Sequence, residues 1–169
     1  MVDRTRRALM IGAAALAANG AQATPKRIEL DWADLIPHGV KGTEFVELRS
    51  LFGIVEHGEL TTGFDQELGG KVTTEYNGKL VRIPGYTVPI AFDDTGVTVM
   101  LLVPYVGACI HVPPPPPNQI LLVKVSIPYE MTGYFEPVYV TGIIEAIPMS
   151  TDIAEIGYKV TEATIAPYE

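Results

Sequence analysis

Five successive prolines, Pro113 to Pro117, limit what this chain can fold into more than any other stretch. Each ring holds φ at about −65° and removes a backbone donor, so the run enters neither a helix nor the middle of a sheet. It is expected as a polyproline II segment of about 3.1 Å per residue, roughly 15 Å long, acting as a stiff connector. Ahead of it, the apolar run from Leu101 passes Tyr105 and Gly107 to reach Cys109 and His111, the single cysteine and one of three histidines. Residues two apart in an extended chain share a face, so a thiol and an imidazole are expected side by side. Behind it, Asn118 and Gln119 lead into the next apolar run. Cys109 and His111 are therefore the candidate centre. Tyr105, Gly107, Pro113, Pro114, Pro115, Pro116, Pro117, Asn118 and Gln119 are the candidate ligand- or partner-binding edge.

Three readings of the Cys-x-His pair stand open. In one, both residues are packed, as free cysteines commonly are. In the second, they supply two of the four ligands that zinc requires, with His38, His57 or a carboxylate completing the set. In the third, the imidazole holds a nucleophilic thiolate, which needs an oxyanion site that only Gly107 offers. No phosphate loop, dinucleotide fingerprint, nucleophile elbow or His-Glu-x-x-His helix accompanies them.

The first residues read as an export signal: Arg4, Arg6 and Arg7, a mild apolar stretch from Ala8 to Ala18, then Ala21-Gln22-Ala23. The paired arginines resemble a twin-arginine signal, cleavage is expected before Thr24, and the apolar stretch is too short to span a bilayer. No membrane span is expected in the mature chain, and the expected compartment is the periplasm. One cysteine in an exported chain makes no internal disulfide. The formal charge is −8, and setting aside residues 1–23 leaves nine basic against nineteen acidic residues. Such a surface disfavours nucleic acid, whose binding depends on basic side chains releasing counterions.

Hydrophobic residues make up 47% of the 169, ample for the core of one domain. Residues 24–78 are expected as a lead-in holding a short helix and a first strand. Asp31 and Asp34 suit the cap of a turn, Phe45, Leu48, Leu51, Phe52 and Val55 suit an amphipathic helix over Thr43 to Glu59, and Lys71 to Tyr76 alternates before the Asn77-Gly78 turn signal. From Lys79 to residue 169, five strand-like segments follow, the first interrupted by Pro84-Gly85. Proline removes a ladder bond and glycine frees φ, so that pair predicts a bulge or bend, letting one strand serve both halves of the sheet. The expected fold is mainly β: a small antiparallel barrel resembling the oligonucleotide/oligosaccharide-binding (OB) fold behind a helical or irregular lead-in, with a β-sandwich as the alternative. Asp93-Asp94 suits a solvated turn, and Tyr86, Tyr105 and Tyr134 are expected either to line a groove or to cover the core.

Pro104-Tyr-Val-Gly-Ala-Cys-Ile-His-Val-Pro-Pro-Pro-Pro-Pro-Asn-Gln119 closely resembles the signature of a family of bacterial exported proteins, the domain of unknown function catalogued as thirty-two ninety-nine. Asp31 to Pro37, Gly78 to Pro89 and Gly157-Tyr-Lys-Val160 match it as well. The resemblance implies a periplasmic protein found beside subunits of MacB-like ABC transporters, in settings that answer to zinc shortage. At Val106 many relatives carry an aromatic residue, so this chain lacks a ring to stack there. The expected function is a non-catalytic binding or accessory protein, zinc-linked through Cys109 and His111, with a thiol-dependent Cys-His enzyme as the alternative.

Overall fold

The computed structural model describes residues 26–38, 70–106 and 115–168. The export signal, the helix expected over Thr43 to Glu59, and the residues Gly107, Cys109, His111, Pro113 and Pro114 lie outside them. The chain is mainly β, with one six-stranded mixed sheet. Its strands are β1 (Ile28–Glu29), β2 (Lys79–Asp93), β3 (Gly96–Val103), β4 (Leu121–Tyr129), β5 (Pro137–Ser150) and β6 (Glu155–Pro167). Two short 3-10 turns, η1 (Trp32–Leu35) and η2 (Pro117–Gln119), complete the described elements.

The strand order is β1-β2-β3-β4-β6-β5, and β2 also pairs β5, so the pairings of β2 to β6 run in a ring. An all-antiparallel arrangement was expected, and this is corrected: β4 pairs β6 in parallel. The reason is topological. Direction can alternate around a ring only if the number of strands is even, and five strands leave one parallel pair. It falls where β6 sits between β4 and β5.

Strand β2 joins the two halves of the ring. Lys79 to Tyr86 pairs β5, Tyr86 to Asp93 pairs β3, and Tyr86 faces both Pro137 and Val103. The hand-over thus falls at Pro84-Gly85-Tyr86, as the sequence suggested. The register shifts, however, come later, around Pro89 to Phe92. Gly85 is also required for a different reason than backbone freedom. Among the described residues the positive-φ glycines are Gly78 and Gly96, whereas a Cβ at Gly85 would lie 2.7 Å from Leu102 Cγ and 3.0 Å from Trp32 Cζ2.

The period-two pattern places Val81, Ile83, Met100, Leu102, Leu121, Val123, Val138, Val140, Tyr158 and Val160 in one buried cluster. The lead-in supplies Leu30, Trp32 and Leu35 to that same cluster. Leu101 and Val103, facing the opposite way on β3, join Val88, Ile120 and Ile156 in a second cluster.

The alternating segment Lys71 to Tyr76 is not a strand: residues 71–74 are irregular and 75–78 form a turn. Side chains satisfy its backbone in place of a neighbouring strand. Asn118 Nδ2 donates to Lys71 O at 3.1 Å, and Thr73 N donates to the Tyr158 hydroxyl at 2.7 Å. Asp31 and Asp34 do cap η1 reciprocally, the Asp34 carboxylate accepting from Asp31 N at 2.8 Å. Asp93 makes the expected solvated turn, its carboxyl held below the usual range by hydrogen bonds from the Thr95 hydroxyl and backbone.

Candidate functional site

The proline stretch leaves β3 through Pro104, which is buried, and Tyr105, which packs against the second cluster; Val106 is exposed. Further along, Pro115, Pro116, Pro117, Asn118 and Gln119 are all buried. Pro116 keeps the extended backbone expected of polyproline, at φ −63° and ψ 155°. Pro117 instead opens η2, with Gln119 N donating to Pro116 O at 2.8 Å.

Both amide side chains of this segment are turned inward. Gln119 Nε2 donates to Trp32 O at 3.1 Å and to Asn118 O at 2.9 Å, and Asn118 Nδ2 reaches Lys71 O. Tyr158 adds a third tie, its hydroxyl donating to Leu35 O while accepting from Thr73 N. Burial pushes the Tyr158 phenol up to about 12. The chain passes so close to β6 that a Cβ at Gly157 would lie 2.5 Å from Pro117 O. Asn118, Gln119, Tyr158 and Gly157 thereby clamp the lead-in onto the ring. Every buried side-chain nitrogen and oxygen among the described residues has a hydrogen-bond partner.

Among the described residues, no group of three or more His, Cys, Asp or Glu side chains could hold a metal. His38 is exposed, with Nε2 3.6 Å from Glu75 Oε2. The described residues therefore supply no completed ligand set for zinc.

A concave feature among the described residues lies beside the start of this stretch, at Pro104. A cleft of about 370 Å³ opens at the β2 hand-over, lined by Asp31, Trp32, Pro84, Gly85, Tyr86, Pro104, Pro137 and Tyr168. Its volume falls at the lower end of ligand-site volumes, about 300–1,000 Å³. The ring makes it: β3 ends at Val103 just before Pro104, β5 begins at Pro137, and β2 passes between them. Gly85, without a side chain, lets Leu102 and the Trp32 ring close against β2 at the cleft. The Trp32 ring lies against Gly85, its indole N–H donated to Pro84 O at 2.8 Å. Outside, Tyr168 stacks on Tyr139 with ring centroids 4.8 Å apart, and the Arg82 guanidinium sits 3.7 Å from the Tyr139 centroid.

Of the three tyrosines considered from the sequence, Tyr86 lines the cleft. Tyr86 and Tyr105 both pack against the second cluster, and Tyr134 is 72% exposed. Asp31, Trp32 and Tyr168 were missed as site residues. A signal was present: Pro84, Pro104 and Pro167 each stand within two residues of a tyrosine, and Asp31 immediately precedes the only tryptophan.

These features define a mainly β protein with one mixed sheet and a ring-lined cleft at the crossing of two strand sets. The family described as "Protein of unknown function (DUF3299)" matches residues 32–167, and the chain belongs to that family. A crystal structure of a DUF3299 family protein from Pseudomonas aeruginosa is similar at 31% identity with a TM-score of 0.63, covering 87% of this chain and 98% of that one. No curated protein matches the chain.

Proposed function

We propose that this chain is a non-catalytic binding or accessory protein of the periplasm, serving a MacB-like ABC transporter, with the cleft at the β2 hand-over as its ligand-facing site. The observation that carries this reading is the contrast between the cleft, lined by rings and one carboxylate, and the Asn118-Gln119 segment, whose amide donors are spent on the chain itself. A preformed concavity with few polar groups suits binding. The basic head and small-residue ending of residues 1–23 support export. Changing Arg6 and Arg7 to lysine is expected to stop export; unaffected export overturns the twin-arginine route.

The finer fold belongs to the same proposal. Five strands in a ring, with the first shared between two halves, make a small barrel of OB shape the best description, and such barrels bind ligands on strand faces and loops.

Zinc enters through Cys109 and His111. If the pair binds it, the thiol is ionised and the imidazole neutral, so affinity falls as pH drops below a histidine pKa of about 6.5. The test is metal content and zinc titration of the full chain against Cys109→Ser and His111→Ala at two pH values. Tighter binding by the parent chain supports the link, and equal binding overturns it. Rapid alkylation of Cys109 at neutral pH, with loss of a measurable turnover, would favour the thiol enzyme instead.

A further inference from the structure

Three of the cleft's lining residues are aromatic, one is a carboxylate, and three are prolines. The prolines have no N–H to offer, and the Trp32 indole N–H is already given to Pro84 O. No basic residue lines the cleft among the described residues. It thus presents ring surfaces and a negative charge but few donors, the complement of a weakly hydrated cation. Prolines at three points of the rim also argue against an added strand, which needs main-chain donors in series.

The same aromatic stack already holds one cation. Arg82 lies over Tyr139, and Tyr139 stacks on Tyr168 at an interplanar angle of 29°. Tyr168, at the far end of that pair, is 52% exposed and forms a cleft wall. Arg82 is itself met by Glu29 Oε2 at 3.7 Å, which offsets its repulsion of a second cation. The formal charge of −8 adds a field that draws cations toward the chain.

We infer that this cleft binds an organic quaternary ammonium ion, its head against the rings of Tyr168 and Tyr86, above the buried Trp32 at the cleft floor, and its charge offset by Asp31. The assignment rests on the reading of the cleft as the ligand-facing site. A quaternary head fits better than a primary one because the Asp31 carboxylate already accepts from Trp32 N at 2.7 Å while capping η1. A primary ammonium has three N–H donors to satisfy and stays strongly hydrated, whereas a quaternary nitrogen has none and packs its methyl groups on ring surfaces.

Trp32 is the only tryptophan, so its fluorescence and its indole N–H resonance come from one side chain at the cleft. The full chain is titrated with choline and with the neutral isostere in which tert-butyl replaces trimethylammonium. Choline is expected to give a saturable Trp32 response, with the isostere weaker by roughly tenfold, because shape is kept and only the charge is lost. Tyr168→Ala and Asp31→Asn are each expected to weaken choline at least about fivefold, and asparagine preserves the cap, so the second change removes charge alone. Equal affinity for choline and its isostere, or choline binding unchanged in both variants, overturns the ammonium assignment. A set of neutral aromatic fragments run alongside separates the two levels. If fragments move the Trp32 resonance and choline does not, the ammonium assignment falls and the cleft stands; if nothing moves it, both fall.

Discussion

The Pro115–Gln119 segment and the cleft at the β2 hand-over are neighbours through Trp32, yet they are built on opposite terms. In the first, every ring is buried, and the amide donors of Asn118 and Gln119 are spent on Lys71, Trp32 and the segment itself. In the second, rings from η1, β2 and the end of the described chain stand around a gap that no side chain among the described residues fills. The lesson is that an unusual sequence can mark a packing device, while the open surface is assembled from ordinary residues far apart in the chain. Burial converts polar groups into fasteners, and incomplete packing leaves a surface available to a ligand.

Gly157→Val attacks the packed region hardest. The new Cβ would meet backbone at Pro117 O, C and Asn118 Cα, atoms that cannot rotate aside, so a loss of about 3 kcal/mol is expected in denaturant unfolding. A loss below about 1 kcal/mol would mean that the segment is free to move and that the contrast is overstated.

Next in size is Gln119→Leu, which leaves Trp32 O buried without its partner and is expected to cost about 2 kcal/mol. Because Trp32 lines the cleft, its emission is expected to change in the folded variant too. A stability loss without any change at Trp32 would separate the two regions.

Tyr158 supplies a pH test. Burial raises its phenol to about 12, so the folded state holds the proton more tightly than the unfolded chain, whose tyrosine titrates near its ordinary 10. That contribution is whole below about pH 10 and is lost as pH climbs from about 10 to about 12, on the order of 1–2 kcal/mol. Tyr158→Phe is expected to flatten this part of the stability curve. An unchanged slope would show that the phenol is not shielded from water by its packing.

The smallest effect on stability belongs to the cleft wall. Tyr168→Ala removes a half-exposed ring stacked on Tyr139 and is expected to shift unfolding by no more than about 1 kcal/mol, while the Trp32 response to choline is weakened. A large loss of stability would place Tyr168 with the fasteners instead.

Much of the fold was legible because strands write themselves in period two. The five segments from Lys79 onward fall where β2 to β6 form, and Pro84-Gly85 lies at the hand-over. Lys71 to Tyr76 carried the same alternation and still formed no strand. Alternation records which side chains face inward, and it is silent on whether a neighbouring strand or the side chains of Asn118 and Tyr158 will take up the backbone bonds. The cleft was only partly legible. Tyr86 was in view, whereas Asp31, Trp32 and Tyr168 are brought to it from positions about fifty residues before and eighty residues after β2's bend.

By itself the sequence determined what is local: rigid φ in the proline run, the Asp31 and Asp34 cap, the turn at Asp93, and the alternating faces of the strands. Only the tertiary structure decided what closure imposes. Five strands in a ring demand one parallel pair, and β2 must serve two neighbours in turn. Trp32 must then pack over a glycine where β3 and β5 part, and that gap is a property of chain closure that no single segment encodes.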